Sequence, residues 1–340
     1  ILLEETERWT GKTELARELE QVAGAALAWI DTYGARDGDG YVEYERRNTE
    51  SGLENQCWKD SWNSIAYADG SLAATPLATC EIQGLVYDAK SRCARLAREV
   101  WDDGELGDRL EREADELKAR FNRDYWLEER GFFALALDRD KRQVDSLTSN
   151  IGHLLSTGLL DAGEEHVVAG LLADRRLFSD YGLRTLDADH PHFNPLGYHS
   201  GSVWPHDTAI AVDGLVRAGH APTAAALVEG LLDAAAHFDF RLPELFGGWA
   251  SSDGPLPYPA ACRPQAWAAG CALVVVGAAL GLSADVPGGS LTVRSDEAFA
   301  ALYPLRVEGL RIAGHRLDIA IDADGRADVT TAAALTVRAT

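Results

Sequence analysis

Residues 54–64 read ENQCWKDSWNS, and the reading of the chain works outward from them. Asp60 stands two residues after Trp58 and directly after Lys59, so a carboxylate is set beside an aromatic plate and a cation in a polar stretch. That is a suitable setting for a working carboxyl group. Asp and Ser are equally ordinary helix-start residues, and these eleven positions leave both readings open.

Upstream, Leu15, Leu19, Val22, Ala26 and Ile30 recur at spacings of three and four and predict an amphipathic helix over 13–33. ARDGDG then turns the chain into YVEYE, whose alternation predicts a short strand. The DGDG run lacks the acidic spacing and closing Glu of a calcium loop and reads as a turn.

Downstream, Thr75-Pro76 reads as a helix start. The helix that follows should bury Ile82, Leu85, Val86, Ala89, Cys93, Leu96, Ala97 and Val100, with Gln83 and Tyr87 beside that stripe, facing a cavity or solvent. A helix over 104–126, a hairpin with GFFALALD as one arm, and shorter helices within 146–160 and 163–173 come next. Ser149 or Asn150 would cap the first of these short helices, and His153 would bond to backbone.

Residues 180–207 make the longest irregular segment, rich in aromatics, histidines and prolines, and loops of that length tend to be functional. His190, His192, His199 and His206 fit no zinc spacing, so no metal is expected. Trp204-Pro205 opens a helix with Asp207 in its first turn, where the carboxylate is either a favourable charge at the helix start or a substrate contact. A helix over 221–240 leads into RLPELFGGW, which carries Glu244 in a glycine- and aromatic-rich loop. Residues 265–282 form an apolar helix expected to be almost fully buried. From about Val286, alternation and a DG turn predict a small β appendage.

Composition bounds the function. The 340 residues carry 32 Lys+Arg against 54 Asp+Glu, a formal net charge of -22. Such a surface repels phosphate backbones and anionic membranes and accommodates neutral partners, so nucleic acid and membrane are not expected. The 5 cysteines show no CxxC pair, which points to reduced thiols in a cytoplasm rather than a disulfide framework or a thiolate metal site. The chain opens on Ile1 and has 0 methionines, so residue 1 is not expected to be the natural start.

Glycoside hydrolysis needs two carboxyl groups on opposite sides of the scissile bond, one donating a proton to the leaving oxygen and one acting on water. It also needs aromatic faces and polar side chains for the sugar. Asp60 and Glu244, each near tryptophan, meet that requirement by type.

Seven strings in order carry a resemblance: ENQCWKDSWNSI, CEIQGLVYDAK, SNIGHLLSTGL, GLRTL, FNPLGYHSGSVWPHD, LPELFGG and YPAACRPQAWAAG. Together they resemble the catalytic region of the bacterial glycogen-debranching-like amylo-α-1,6-glucosidase family. Its wider group is the inverting (α/α)6-barrel glycosidases, which include trehalase, processing α-glucosidase I and mannosylglycerate hydrolase. The resemblance implies a mainly α fold, an (α/α)6 toroid over 1–282 lacking its first helices, with the β appendage at 283–340. About eight helices are legible where a complete barrel has twelve, so a C-terminal fragment is expected.

Carried over by motif, Asp60 matches the general acid of the WKDS-type motif and Glu244 the general base of the PELF segment. Trp58, Lys59, Gln83, Tyr198, His199, Trp204, His206, Asp207, Gln265 and Trp267 would line the sugar pocket. The implied activity is inverting hydrolysis of an α-linked glucoside, such as an α-1,6 branch, with a carbohydrate as partner and no cofactor. The family's glycine before the motif tryptophan is Cys57 here, and Trp62 is an additional tryptophan. A sugar epimerase on the same barrel and a non-catalytic carbohydrate-binding scaffold remain the alternatives.

Overall fold

The computed structural model describes residues 1–250 and 254–340. Among them are ten α-helices and eleven short strands. The chain divides into two compact units, one of residues 1–28, 89–114 and 275–340, the other of 29–88 and 115–274.

In the first unit the expected helix over 13–33 is broken. After α1 (Leu2–Thr10) come α2 (Glu14–Glu18) and α3 (Glu20–Trp29), separated at Leu19. The buried residues are Ala16 and Leu27, packed with Cys93, Ala94, Leu96, Ala97 and Val100 of α4 (Cys80–Glu99) and Leu110 of α5 (Gly104–Asp124). Leu15 and Val22 of the expected stripe face outward. The segment is apolar on more than one side, so periodicity alone could not choose the face, and contact with α4 and α5 decides which side is covered. Four charged side chains also tie this unit together: Glu4 accepts from Arg92 Nη1 at 2.5 Å and from Arg95 Nε at 2.9 Å, and Glu7 accepts from Arg95.

The β region of the same unit forms two three-stranded sheets. β8 (Leu305–Ile312), β9 (His315–Ile321) and β10 (Ala327–Thr331) are antiparallel with β9 central. β7 (Ser290–Val293) pairs antiparallel with β6 (Ser283–Asp285) and parallel with β11 (Thr336–Ala339). Their alternating inward residues, Leu291, Val293, Leu317, Ile319 and Ile321, form one apolar cluster.

In the second unit α4 starts at Cys80, after strand β1 (Ala78–Thr79), rather than at Pro76. β1 pairs with β4 (Ala136–Leu137), and β4 with β5 (Gln143–Val144). β2 (Trp126–Leu127) and β3 (Phe132–Phe133) make the hairpin. YVEYE contributes a single bridge, Tyr44 to Leu77, in place of a strand.

Helix α8 (Pro205–Arg217) packs against α6 (Asn150–Leu154) and α9 (Ala221–His237), and α7 (Ala162–Leu172) packs against α6 and α9. Gly214 permits the α6–α8 approach, since a Cβ there would stand 2.6 Å from Leu155 Cβ. Helix α10 (Ala266–Leu280) is not almost fully buried: Trp267 is 53% and Leu273 76% exposed. With no polar face, its sequence could not signal which side stays open. Among the described residues no helix is long and apolar enough to cross a membrane.

Candidate active site

Irregular segments of the second unit hold the site: 54–64, 180–204, 242–250 and 254–265. The loop 180–204 and the PELFGG segment are zipped by reciprocal backbone bonds, Val203 N–H to Phe246 O at 2.9 Å and Phe246 N–H to Val203 O at 3.0 Å. Gly248 lies so close to Gly201 that a Cβ would meet its carbonyl oxygen at 1.8 Å. Arg184 locks the same corner by donating Nε to Gly248 O at 2.6 Å and Nη1 to Arg175 O and Phe178 O. The aromatic, glycine-rich composition of these segments therefore serves close loop-on-loop packing before any chemistry.

Trp58 is the hub. Its ring stacks on His153 at 5.7 Å and meets His199, Trp204 and His206 edge to face at 5.5, 5.9 and 5.1 Å. The Lys59 ammonium lies 4.9 Å from the Trp58 ring centroid. Lys59 is fully buried, and burial pushes its pKa down to about 8 against the pull of Asp207 and Glu81.

Asp60 is the exposed member, its side chain 45% accessible, with Oδ1 3.8 Å from His199 Nδ1. Ser61 donates to that same nitrogen from Oγ at 2.8 Å and from its backbone N–H at 3.4 Å. A ring nitrogen that accepts from a backbone N–H must be unprotonated, which places the proton of the neutral imidazole on Nε2. Burial, helped by the Lys59 charge, drives the His199 pKa down to about 3, so the ring is neutral at ordinary pH. Burial takes His206 down to about 4.

Glu244 is half-buried and held on both oxygens. Tyr198 donates its hydroxyl to Oε1 at 2.8 Å, and the Cys262 backbone N–H reaches Oε2 at 3.2 Å. Burial and the Glu244 hydrogen bond both raise the Tyr198 pKa, so its proton stays in place. Asp207 is buried at the start of α8 and accepts from His153 Nε2 at 2.7 Å. Burial alone would raise its pKa, but His153 and the Lys59 charge hold it below the usual carboxylate range.

The structure thus brings Trp58, Lys59, Asp60, Tyr198, His199, Trp204, His206, Asp207 and Glu244 together. Trp267 joins through a 4.3 Å ring contact with His206. Gln265 caps α10 by accepting from Ala268 N–H at 3.0 Å. Gln83 is not gathered with them: fully buried, it accepts from Val42 N–H at 2.9 Å and donates to Val42 O and Thr79 O. Lys59 likewise turns its ammonium to Thr185 O at 2.6 Å.

His153, read as a backbone-bonding residue, instead holds Asp207, and Ser61, unassigned in the sequence, holds His199. His190 bonds to Tyr67 O and Ser146 Oγ. Among the described residues the group with metal-ligand spacing is Asp37, Asp39 and Glu43, whose carboxylates surround the Lys141 ammonium. A cavity of about 1390 Å³ lined by Asp39, Tyr41, Tyr67, Trp126 and Lys141, among others, includes none of the residues gathered around Trp58.

Residues 10–241 match the family model for the mannosylglycerate hydrolase MGH1-like glycoside hydrolase domain. That span includes Asp60 and stops short of Glu244. Among solved structures, the chain is similar to a sialidase (TM-score 0.72, 15% identity) over 95% of its own length and 30% of that chain. It is also similar to the GH78 family rhamnosidase of Bacillus sp. GL1 (TM-score 0.62, 15% identity) over 97% of itself and 29% of that chain. The GH63 mannosylglycerate hydrolase of Thermus thermophilus in complex with glucose matches at TM-score 0.49 and 19% identity, over 59% of this chain and 45% of that one. The chain therefore spans less than half the length of each of these, and at 15% identity its likeness to the first two is one of fold. No curated protein matches by sequence.

Proposed function

The chain belongs to the mannosylglycerate hydrolase MGH1-like glycoside hydrolase domain family, within the six-hairpin glycosidase superfamily, and from that premise we propose that it is the catalytic part of an inverting glycosidase acting on α-linked glucosides. The observation that carries the reading is the adjacency of Tyr198 and His199. Tyr198 donates to Glu244 and His199 Nδ1 stands 3.8 Å from Asp60 Oδ1, so a single dipeptide borders both candidate carboxyl groups.

In this proposal Asp60, open to solvent at the loop tip, protonates the glycosidic oxygen as the C–O bond breaks. Glu244, aimed by Tyr198 and the Cys262 N–H, takes a proton from the water that attacks the anomeric carbon from the other side. The products are a free alcohol and a sugar of inverted configuration. Neither step requires a metal or organic cofactor. Trp267, His206 and Tyr198 offer the aromatic and polar surface for the sugar, while Trp58, Lys59 and Asp207 support them from behind.

The finer reading follows the string resemblance: an (α/α)6 toroid over 1–282, a β appendage over 283–340, and activity on glucosides such as α-1,6 branches. The five cysteines, which form no CxxC pair in the sequence, support a reducing, cytoplasmic setting. The test is to assay the full-length gene product on isomaltose, trehalose, glucosylglycerate and branched glucan, following the first-released anomer by NMR. Initial release of the β-anomer from an α-glucoside is expected. Release of the α-anomer overturns the mechanism, and interconversion of a monosaccharide without hydrolysis favours an epimerase.

A further inference from the structure

Two neighbouring residues of one turn compete for one nitrogen of His199. Its Nδ1 stands 2.8 Å from the Ser61 hydroxyl and 3.8 Å from Asp60 Oδ1. The ring is confined: it is 3% exposed, stacked on Trp204 at 4.9 Å and met edge to face by Trp58 at 5.5 Å and Tyr198 at 4.7 Å. Ser61 is held as firmly, because its carbonyl accepts from Asn55 Nδ2 at 2.7 Å, from Ser64 Oγ at 2.8 Å and from Ser64 N–H at 3.1 Å.

The imidazole is neutral, so one nitrogen carries its single proton, and the two choices act differently on Asp60. With the proton on Nδ1, the ring would aim an N–H at the Asp60 carboxylate, and a hydrogen bond to the ionised form favours that form. Such a bond works against a group that has to arrive protonated. With the proton on Nε2, Nδ1 is a lone pair that accepts from the Ser61 hydroxyl and backbone N–H and offers an ionised Asp60 nothing. No hydrogen bond at the far end of the ring makes the choice, since Nε2 is buried and among the described residues has no partner. It is made at Nδ1, where Ser61 stands closer than Asp60.

Resting on the assignment of Asp60 as the acid, we propose that Ser61 is a positioning residue of the same reaction: its hydroxyl locks His199 in the form that carries the proton on Nε2, and so denies Asp60 an N–H donor that would hold it ionised. Ser61 acts through His199, not on the reacting atoms.

The experiment compares the full-length wild type with Ser61→Ala and Ser61→Thr. Ser61→Ala removes the hydroxyl and keeps the carbonyl that holds the turn. Nitrogen-15 NMR of the histidine rings reads the tautomer directly, with the His199 signals identified by their loss in His199→Gln. Wild type and Ser61→Thr should show a protonated Nε2 and an unprotonated Nδ1, and Ser61→Ala should move the proton toward Nδ1. An unchanged tautomer in Ser61→Ala, or a protonated Nδ1 in the wild type, overturns the proposal.

Kinetics on isomaltose and on α-glucosyl fluoride, whose leaving group needs no acid, read the consequence. Ser61→Ala should lower kcat on isomaltose about tenfold, the scale of one hydrogen bond, with KM within about twofold, and should lower kcat on the fluoride by less than about twofold. Ser61→Thr should recover most of the isomaltose rate. Equal losses on the two substrates report a displaced loop and overturn the proposal. A wild type that turns over neither substrate refutes the hydrolase reading, and the tautomer comparison then decides the lock alone.

Discussion

Lys59 donates its ammonium to the carbonyl oxygen of Thr185 across 2.6 Å and is fully buried while doing so. Lys59→Met should cost about 1–3 kcal/mol at pH 7, because the Thr185 carbonyl loses its partner. The pH dependence has a definite sign. A lysine pushed down to about 8 is neutral in the native state between pH about 8 and the unfolded value of about 10.4, while the unfolded chain still binds the proton. Its contribution therefore grows as pH rises through that window and fades as pH falls to 8. Urea unfolding of both proteins at pH 7, 8.5 and 10 should show the gap widening by about 1.4 kcal/mol per unit above pH 8, and a constant gap counts against the buried-ammonium picture.

Asp60→Asn should abolish proton donation and leave the fold alone, since the side chain is exposed and its loop is held by Ser61, Ser64 and Asn55. The expected loss on isomaltose is about 10³-fold, against about tenfold on α-glucosyl fluoride, whose leaving group needs no acid. Glu244→Gln should lose both activities. Equal sensitivity of the two substrates to Asp60→Asn would assign the acid role elsewhere.

Acid pH should loosen the Trp58 hub. His199 and His206, driven down to about 3 and about 4, stay neutral where the unfolded chain takes up protons below about 6.5. Stability they contribute above pH 6.5 is therefore lost as pH falls toward 4, at up to about 1.4 kcal/mol per unit for each ring. Chemical denaturation at pH 7, 6 and 5 should show this slope, and His206→Gln should flatten it by roughly half.

Much of this architecture was legible in the chain because it follows local rules. Pro205 after Trp204 opens α8, the segment 131–138 supplies one hairpin arm, and alternation marks β7 to β10. The failures share a cause. Leu15 and Val22 of α2 and α3 and Leu273 of α10 lie on segments apolar on several sides, and only the tertiary neighbour decides which side is covered. At the site, residue types announced the carboxylates and aromatics. They could not announce that His153 holds Asp207 across 54 positions, or that Ser61 reaches His199 across 138.

Gln83 shows most sharply how position in a motif differs from position in space. In the string CEIQG it reads as a sugar ligand, yet its amide grips Val42 on both backbone atoms and adds a bond to Thr79 O at 3.2 Å. That clamp seats the strand-like 41–44 segment, whose Tyr44 hydroxyl goes on to Asn55, the same residue that fixes Ser61 beside Asp60. Gln83→Leu should cost about 3 kcal/mol, because three backbone groups lose their partner in a dry interior. Gln83→Glu should be worse near neutral pH, since it aims a carboxylate at two carbonyl oxygens. Surviving activity should keep an unchanged KM in both variants, whereas a sugar-contacting Gln83 predicts the reverse pattern, with intact melting temperature and a raised KM.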